Sequence, residues 1–179
     1  MKKISISKFK IKSNSKPFII AEISSNHNWS LQHTLKLIKK IKDAGANAVK
    51  IQTYDENNMT FNSKKGDFVV KKGLWKNYSL YELYKNAKTP LAWHKKIFQY
   101  AKSLGLIAFS TPFDEKSADF LTKLKDPAFK IASFELVDHP LIEHVARKQK
   151  PIILSTGMAS MKEISEAVKI VKKVKNDKI

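Results

Sequence analysis

Apolar and polar positions along the chain follow two periods. Residues 4–11 set Ile4, Ile6, Phe9 and Ile11 among polar neighbours, the alternation of a leading strand or hairpin. Short apolar runs then recur at 18–23 (FIIAEI), 48–53 (AVKIQT), 107–112 (IAFSTP), 128–135 (AFKIASFE) and 151–157 (PIILSTG). Their length and apolar content are those of strands covered on both faces.

Between these runs the apolar residues fall three and four apart, the period of a helix. Leu31, Leu35, Ile38 and Ile41 share one face, with Ser30 as cap and Gly45 as stop. Thr89 and Pro90 read as cap and first helical residue ahead of Trp93, Ile97, Tyr100, Ala101 and Leu104, with Gly105 as the stop. Asp114 caps a helix with Ala118, Leu121 and Leu124 inward, and Asp138 with Pro140 opens one carrying Leu141, Ile142 and Val145. A capping box from Ser160 to Glu163 precedes Ile164, Ala167, Val168 and Val171. This alternation of strand and helix, five times over, predicts parallel strands joined by right-handed crossovers.

The long excursion at residues 54–88 breaks that rhythm. Connections beyond about 12–15 residues commonly carry function or structure of their own, so a substrate-facing lid and a structural excursion both fit its Trp75 and its LYELY segment.

Four of the apolar runs, 48–53, 107–112, 128–135 and 151–157, share a second feature, which is that they finish in Lys, Gln, Ser, Thr or Glu. In parallel α/β folds the ligand lies beyond the carboxyl ends of the strands. Glu22, Lys50, Gln52, Ser110, Thr111, Lys130, Ser133, Glu135, Ser155 and Thr156 would then converge on one mouth. Lysines with hydroxyls make a cradle for a phosphate or carboxylate, and two glutamates can orient sugar hydroxyls or move protons.

Composition narrows the classes. With 42% hydrophobic and 28% charged residues the chain has the balance of a globular protein. No apolar run approaches the roughly 18 residues of a membrane span, and the Lys-rich amino terminus does not read as a secretory signal. The cytoplasm is the expected compartment. The absence of cysteine removes disulfides, thiolate metal sites and cysteine nucleophiles. A net charge of +18 raises nucleic acid as a partner, but all the basic residues except Arg147 are dispersed lysines, and arginine is the usual reader of guanine. No nucleic-acid partner is expected, and the charge favours anionic small substrates.

Five segments in order carry a resemblance to a known family: 18–27 (FIIAEISSNH), 48–53 (AVKIQT), 109–114 (FSTPFD), 129–135 (FKIASFE) and 151–160 (PIILSTGMAS). They resemble the sialic acid synthases, and the stretch 73–94, with LYELYKNAKTP and Trp93-His94, is most similar to the pseudaminic acid synthase branch. The resemblance implies a (β/α)8 TIM-barrel type of fold, here an incomplete barrel of about five βα units. Residues 1–17 would be an N-terminal β extension and 18–179 a partial synthase barrel.

It further implies condensation of phosphoenolpyruvate with an N-acetylated amino sugar to a nine-carbon 2-keto acid. Glu22, Lys50 and Lys130 match catalytic positions of the family. Lys50, Thr111, Lys130, Ser133 and Ser155 match those that hold the phosphate and carboxylate, Ser110 is counted with the substrate-binding residues, Gln52 would lie beside the bound substrates, and Glu135 would hold hydroxyls of the sugar. A divalent metal, Mn²⁺ or Mg²⁺, is implied as Lewis acid, with its two histidine ligands later in the barrel. No metal ligand is therefore assigned in this chain.

Trp29 departs from the glycine that the family commonly has after Asn-His-Asn. A barrel of this type takes about 250 residues, so the 179 residues are expected to be the amino-terminal part of a longer or split synthase. The remaining barrel units and the antifreeze-like domain would be absent, and the full-length form a homodimer. Other classes compete with the synthase: a Schiff-base class I aldolase in which Lys130 or Lys50 attacks a carbonyl, and a truncated fragment without catalysis.

Overall fold

The computed structural model describes residues 4–12 and 14–179. Residues 1–3 and 13, part of the expected β extension, lie outside the described residues. Strands β1 (Ile4–Ile6) and β2 (Phe9–Ile11) form an antiparallel hairpin, as the leading alternation predicts. The strand–helix units follow as β3 (Ile20–Glu22), α1 (Leu31–Asp43), β4 (Ala48–Thr53), α2 (Glu56–Met59), α3 (Leu80–Ala87), α4 (Leu91–Ser103), β5 (Ile107–Pro112), α5 (Glu115–Lys123), β6 (Phe129–Ile131), α6 (His139–Arg147), β7 (Ile152–Leu154) and α7 (Met161–Lys173). Strands β3 to β7 pair in sequence order, all parallel, in one curled sheet with the architecture of a half barrel.

Local chemistry sets the helix starts. The side chains of Ser30, Asp114 and Asp138 accept backbone N–H groups of His33, Ser117 and Leu141, and complete capping boxes close at Ser79–Glu82 and Ser160–Glu163. One expected cap is corrected. Pro90, not Thr89, is the N-cap of α4, with no side-chain cap bond, and the buried Thr89 hydroxyl has no hydrogen-bond partner among the described residues. A second correction concerns the strand expected over 128–135. It stops at Ile131, and Phe134–Val137 turns into a 3₁₀ helix.

Alternation along each strand divides the core. On the outer face Val49, Ile51 and Ala108 pack beneath Ile38 of α1 and Ile97 and Ala101 of α4. Phe129, Ile131 and Ile152 do the same beneath α5, α6 and α7, against Leu121, Ile142, Val145 and Ala167. On the inner face Ala48, Ile107, Phe109 and Ala128 meet Ile6 of the hairpin, with Phe9, Phe18, Ile20 and Ile153 packed around them. The hairpin thus plugs the amino-terminal end of the half barrel. The polar inward residues come later along the same strands.

A polar network runs through the outer layer where β4 and β5 meet α4. His94 is fully buried and donates from Nδ1 to the Pro90 carbonyl at 3.1 Å. Its Nε2 accepts from the Thr53 hydroxyl at 2.8 Å. The Ser110 hydroxyl lies 2.6 Å from that of Thr53 and 3.0 Å from the Ile51 carbonyl, its single proton shared between the two oxygens. The Ser110 N–H donates to Asp126 Oδ2 at 3.0 Å. Burial pushes the His94 imidazole down to about 4, outweighing its bonds to backbone, and pushes the Asp126 carboxyl well up, against two backbone N–H bonds.

These two groups give opposite pH slopes. His94 titrates lower when folded than when unfolded, so its contribution is present above about pH 6.5 and is lost as pH falls toward 4. Asp126 titrates higher when folded, so its contribution grows as pH falls. Comparing wild type with His94→Gln isolates the imidazole. The difference in unfolding free energy between the two should shrink by roughly 3 kcal/mol from pH 7 to pH 4 in urea titrations, and a difference that is flat with pH would contradict the buried neutral imidazole.

Candidate active site

Lys50, at the middle of β4, is 7% exposed, an expensive place for an ammonium unless it is paired. The pairing comes from both neighbouring strands. Glu22 is its register partner on β3 and forms an ion pair with it. On the other side Lys50 Nζ donates to Thr111 Oγ1 of β5 at 3.1 Å.

Glu22 and Gln52 are joined through the loop after β3. The Ser24 N–H donates to Glu22 Oε1 at 2.9 Å, and the Ser24 hydroxyl donates to Gln52 Oε1 at 3.0 Å. Ser24 takes a left-handed backbone, φ 49°, to do this.

Lys130 lies on β6, one strand beyond β5, and its side chain makes no hydrogen bond or ion pair among the described residues. Burial lowers its pKa first and the charge of Lys50 lowers it further, while Glu22 and Glu135 act the other way. The four groups therefore feel one another across the inner face. Glu135 comes from the 3₁₀ turn, not from the strand, and one of its carboxylate oxygens is buried without a hydrogen-bond partner. Burial raises its pKa, opposed by the charge of Lys130.

Ser133 precedes that turn and Ser155 follows β7, its N–H bonded to the Ile131 carbonyl at 3.1 Å. Gly157 lies against Ser133, where an added Cβ would stand 3.3 Å from the Ser133 hydroxyl oxygen. A side chain at 157 would press the Ser133 hydroxyl to move by a few tenths of an ångström.

Glu22, Lys50, Gln52, Thr111 and Lys130 are thus brought together at the carboxyl end of the inner face, with Glu135, Ser133 and Ser155 on the loops that follow. Ser110 is the exception. It precedes inward-facing Thr111 by one residue, so alternation turns it to the helix layer, where its hydroxyl is committed to Thr53 and Ile51. It belongs to the scaffold behind the mouth.

Two residues escaped the sequence reading. Ser24 follows Glu22 in a polar loop and carried a signal only as a hydroxyl just past a strand end. His94 stands three residues before Ile97 and seven before Ala101, on their buried face of α4, and what the sequence lacked was any sign of the hydroxyl partner across the layer.

The histidines do not assemble a metal cage. His27 and His94 are buried in hydrogen bonds and His144 bonds Asp119. Among the described residues no group of three or more His, Asp or Glu side chains is placed to hold an ion. The residues present do not fit the metal that the resemblance implies. Cavities of about 360 and 540 Å³ are lined by the hairpin, β7 and α7 in one case and by the hairpin turn, the carboxyl half of α4 and the loop after α5 in the other, and neither is lined by Lys50, Lys130 or Glu135. Among the described residues no helix is long and apolar enough to cross a membrane.

Known proteins are similar to this chain in sequence and fold. The model of the NeuB family matches residues 37–179. The pseudaminic acid synthase of Campylobacter jejuni is 48% identical over 161 residues, 90% of this chain and 47% of the relative. That of Helicobacter pylori is 46% identical over 160 residues, 89% of this chain and 47% of the relative. The crystal structure of N-acetylneuraminic acid synthetase from Leptospira borgpetersenii, in complex with citrate, matches with a TM-score of 0.85 at 30% identity, over 98% of this chain and 56% of that one. The chain spans about half the length of the curated relatives it matches. Its matched length and its relatives agree with the five segments of resemblance, and this chain belongs to the NeuB family.

Proposed function

We propose that residues 18–179 carry the phosphoenolpyruvate-holding part of a pseudaminic acid synthase, an enzyme that condenses phosphoenolpyruvate with an N-acetylated amino sugar. The relatives that are 46–48% identical bear that name. The observation that carries the reading is the pair of inward lysines. The Lys130 side chain has no hydrogen-bond or ion-pair partner among the described residues and feels the charge of Lys50, so an anion between them relieves a repulsion that burial has strengthened.

In this reading the two ammonium groups and the hydroxyls of Thr111, Ser133 and Ser155 hold the phosphate and carboxylate. Glu22 and Gln52, fixed through Ser24, face the reacting carbons, and Glu135 accepts from sugar hydroxyls through its unpartnered oxygen. C3 of the enol attacks the aldehyde carbon of the open sugar while water adds at C2, and phosphate then leaves by C–O cleavage, giving the 2-keto acid. The residues of this chain bind and orient the enol. No step is assigned to a metal.

Calorimetry with phosphoenolpyruvate tests the binding. A charge-assisted contact is worth roughly 1.5–3 kcal/mol, about tenfold or more in affinity. Lys50→Ala and Lys130→Ala should each weaken binding by at least that factor. Unchanged affinity in both would overturn the site. Gly157→Ala should weaken binding several-fold by displacing Ser133, with little change in the unfolding midpoint, and an affinity equal to wild type would remove Ser133 from the site.

A second reading draws on the lowered pKa of Lys130. A lysine desolvated beside another cation is suited to imine formation. Borohydride with pyruvate separates the two. The synthase reading expects no adduct by mass spectrometry, whereas a pyruvyl adduct on Lys130 or Lys50 would favour the aldolase.

A further inference from the structure

The loop between β3 and α1 is short, strained and fastened to a distant helix. Asn28 and Trp29 have φ of 48° and 51°, a left-handed backbone that costs a non-glycine residue free energy. A bulky indole at such a position calls for a compensating contact. Trp29 Nε1 donates to the Asn86 carbonyl at 2.6 Å, and its backbone N–H donates to His27 Nδ1 at 3.1 Å. His27, fully buried, donates from Nε2 to the Ala87 carbonyl at 3.2 Å.

The last carbonyls of α3, which have no partner inside their own helix, are thereby capped from a loop nearly 60 residues earlier. Trp93 of α4 completes the cluster, its ring edge-on to both His27 and Trp29 at centroid distances of 5.7 and 6.4 Å. At the neck of the 54–88 excursion, Lys88 pairs with Asp55 and Glu56. The proximal part of the excursion is therefore held at both ends.

The same loop leads back to the mouth. Ser30 N–H bonds the His27 carbonyl and Asn26 N–H bonds the Ile23 carbonyl, both at 2.9 Å, so 23–30 is two tight turns in succession. Ser24 lies in the first of them and joins Glu22 to Gln52. We propose that Trp29 is a positioning residue: by fastening the carboxyl end of α3 to the β3–α1 loop it sets the place of Ser24, and through Ser24 the directions of Glu22 and Gln52. The consequence for binding rests on the proposed function, whereas the positioning does not.

Trp29→Phe removes the indole N–H and keeps a ring, and Trp29→Gly removes the clasp while relieving the left-handed backbone. Both should be studied in the full chain by hydrogen exchange and ¹⁵N NMR without ligand. The clasp reading expects exchange in 80–88 and 24–29 to rise together by roughly fivefold or more, with the Ser24 amide and the Gln52 side-chain amide resonances displaced. It expects this in Trp29→Gly as well, although that variant is relieved of strain. If the Ser24 and Gln52 resonances stay in place in both variants, or if 80–88 loosens without 24–29, the proposal is overturned. Phosphoenolpyruvate titration then separates it from the functional reading. Affinity reduced several-fold in Trp29→Phe supports both, and affinity unchanged there but lost in Lys130→Ala overturns the consequence of the positioning for binding. If wild type binds none, the functional reading fails, and the resonances alone decide the clasp.

Discussion

A buried ammonium sets the terms for this half barrel. Lys50 lies in the middle of a strand between apolar Val49 and Ile51, and it is tolerable there only while Glu22 and Thr111 flank it. That requirement ties three strands into one register. A slip of a single residue would turn Lys50 into the apolar layer beneath α1 and α4 and bring Ile51 to the mouth. The outer clusters on Val49 and Ile51 and the hairpin plug on Ala48 and Phe109 forbid it from both faces. Packing fixes the register, and the register permits the charge.

The junction of β5 with β6 is less regular, and a side chain completes it. These strands share the register pair Ser110–Phe129, and β6 is three residues long. Asp126 bridges the gap by accepting the N–H groups of Ser110 and Ala128, while Lys150 donates to the Asp126 carbonyl. The position of Lys130 relative to Thr111 therefore depends on a buried carboxyl behind the sheet. On the same outer face His94, Thr53 and Ser110 bind the ends of β4 and β5. The scaffold behind the mouth is polar, and each polar group in this chain of contacts has a partner, the condition for such a network to be tolerated.

The fold was legible because its signals were local and repeated. Strand runs, helix stripes and Ser or Asp caps recurred in order, and the chain folds into five strand–helix units as that order requires. The mouth was legible because a polar residue ending an apolar run has few other reasons to be there. What failed was decided by parity or by distant partners. Ser110 and Thr111 are adjacent hydroxyls on one strand, and only the register shows which faces the mouth. Glu135 looked like a strand end but belongs to a turn, since the chain leaves the sheet at Ile131. The cap at Thr89 was a question of a single residue. Ser24, His94 and the Trp29 clasp depend on contacts across 28 to 57 residues, which no local pattern contains.

In the proposed reading, the charges at the mouth also account for an anion being held there in particular by a strongly basic chain. Most of its lysines are exposed and screened, and an exposed ammonium binds an anion weakly. At the mouth the balance differs, because Lys50 is already satisfied by Glu22 while Lys130 is not. An anion seated on Lys130 meets Lys50 in competition with a carboxylate. Whatever it draws from Lys50 loosens the ion pair and leaves Glu22 held mainly by the Ser24 N–H. In the proposed reading, arrival of the enol phosphate thereby frees a carboxylate beside the reacting carbons, where a fixed oxygen can order water or take a proton. A carboxylate that began unpaired would have repelled the ligand on entry. One that starts paired with Lys50 masks its charge until the phosphate takes its place.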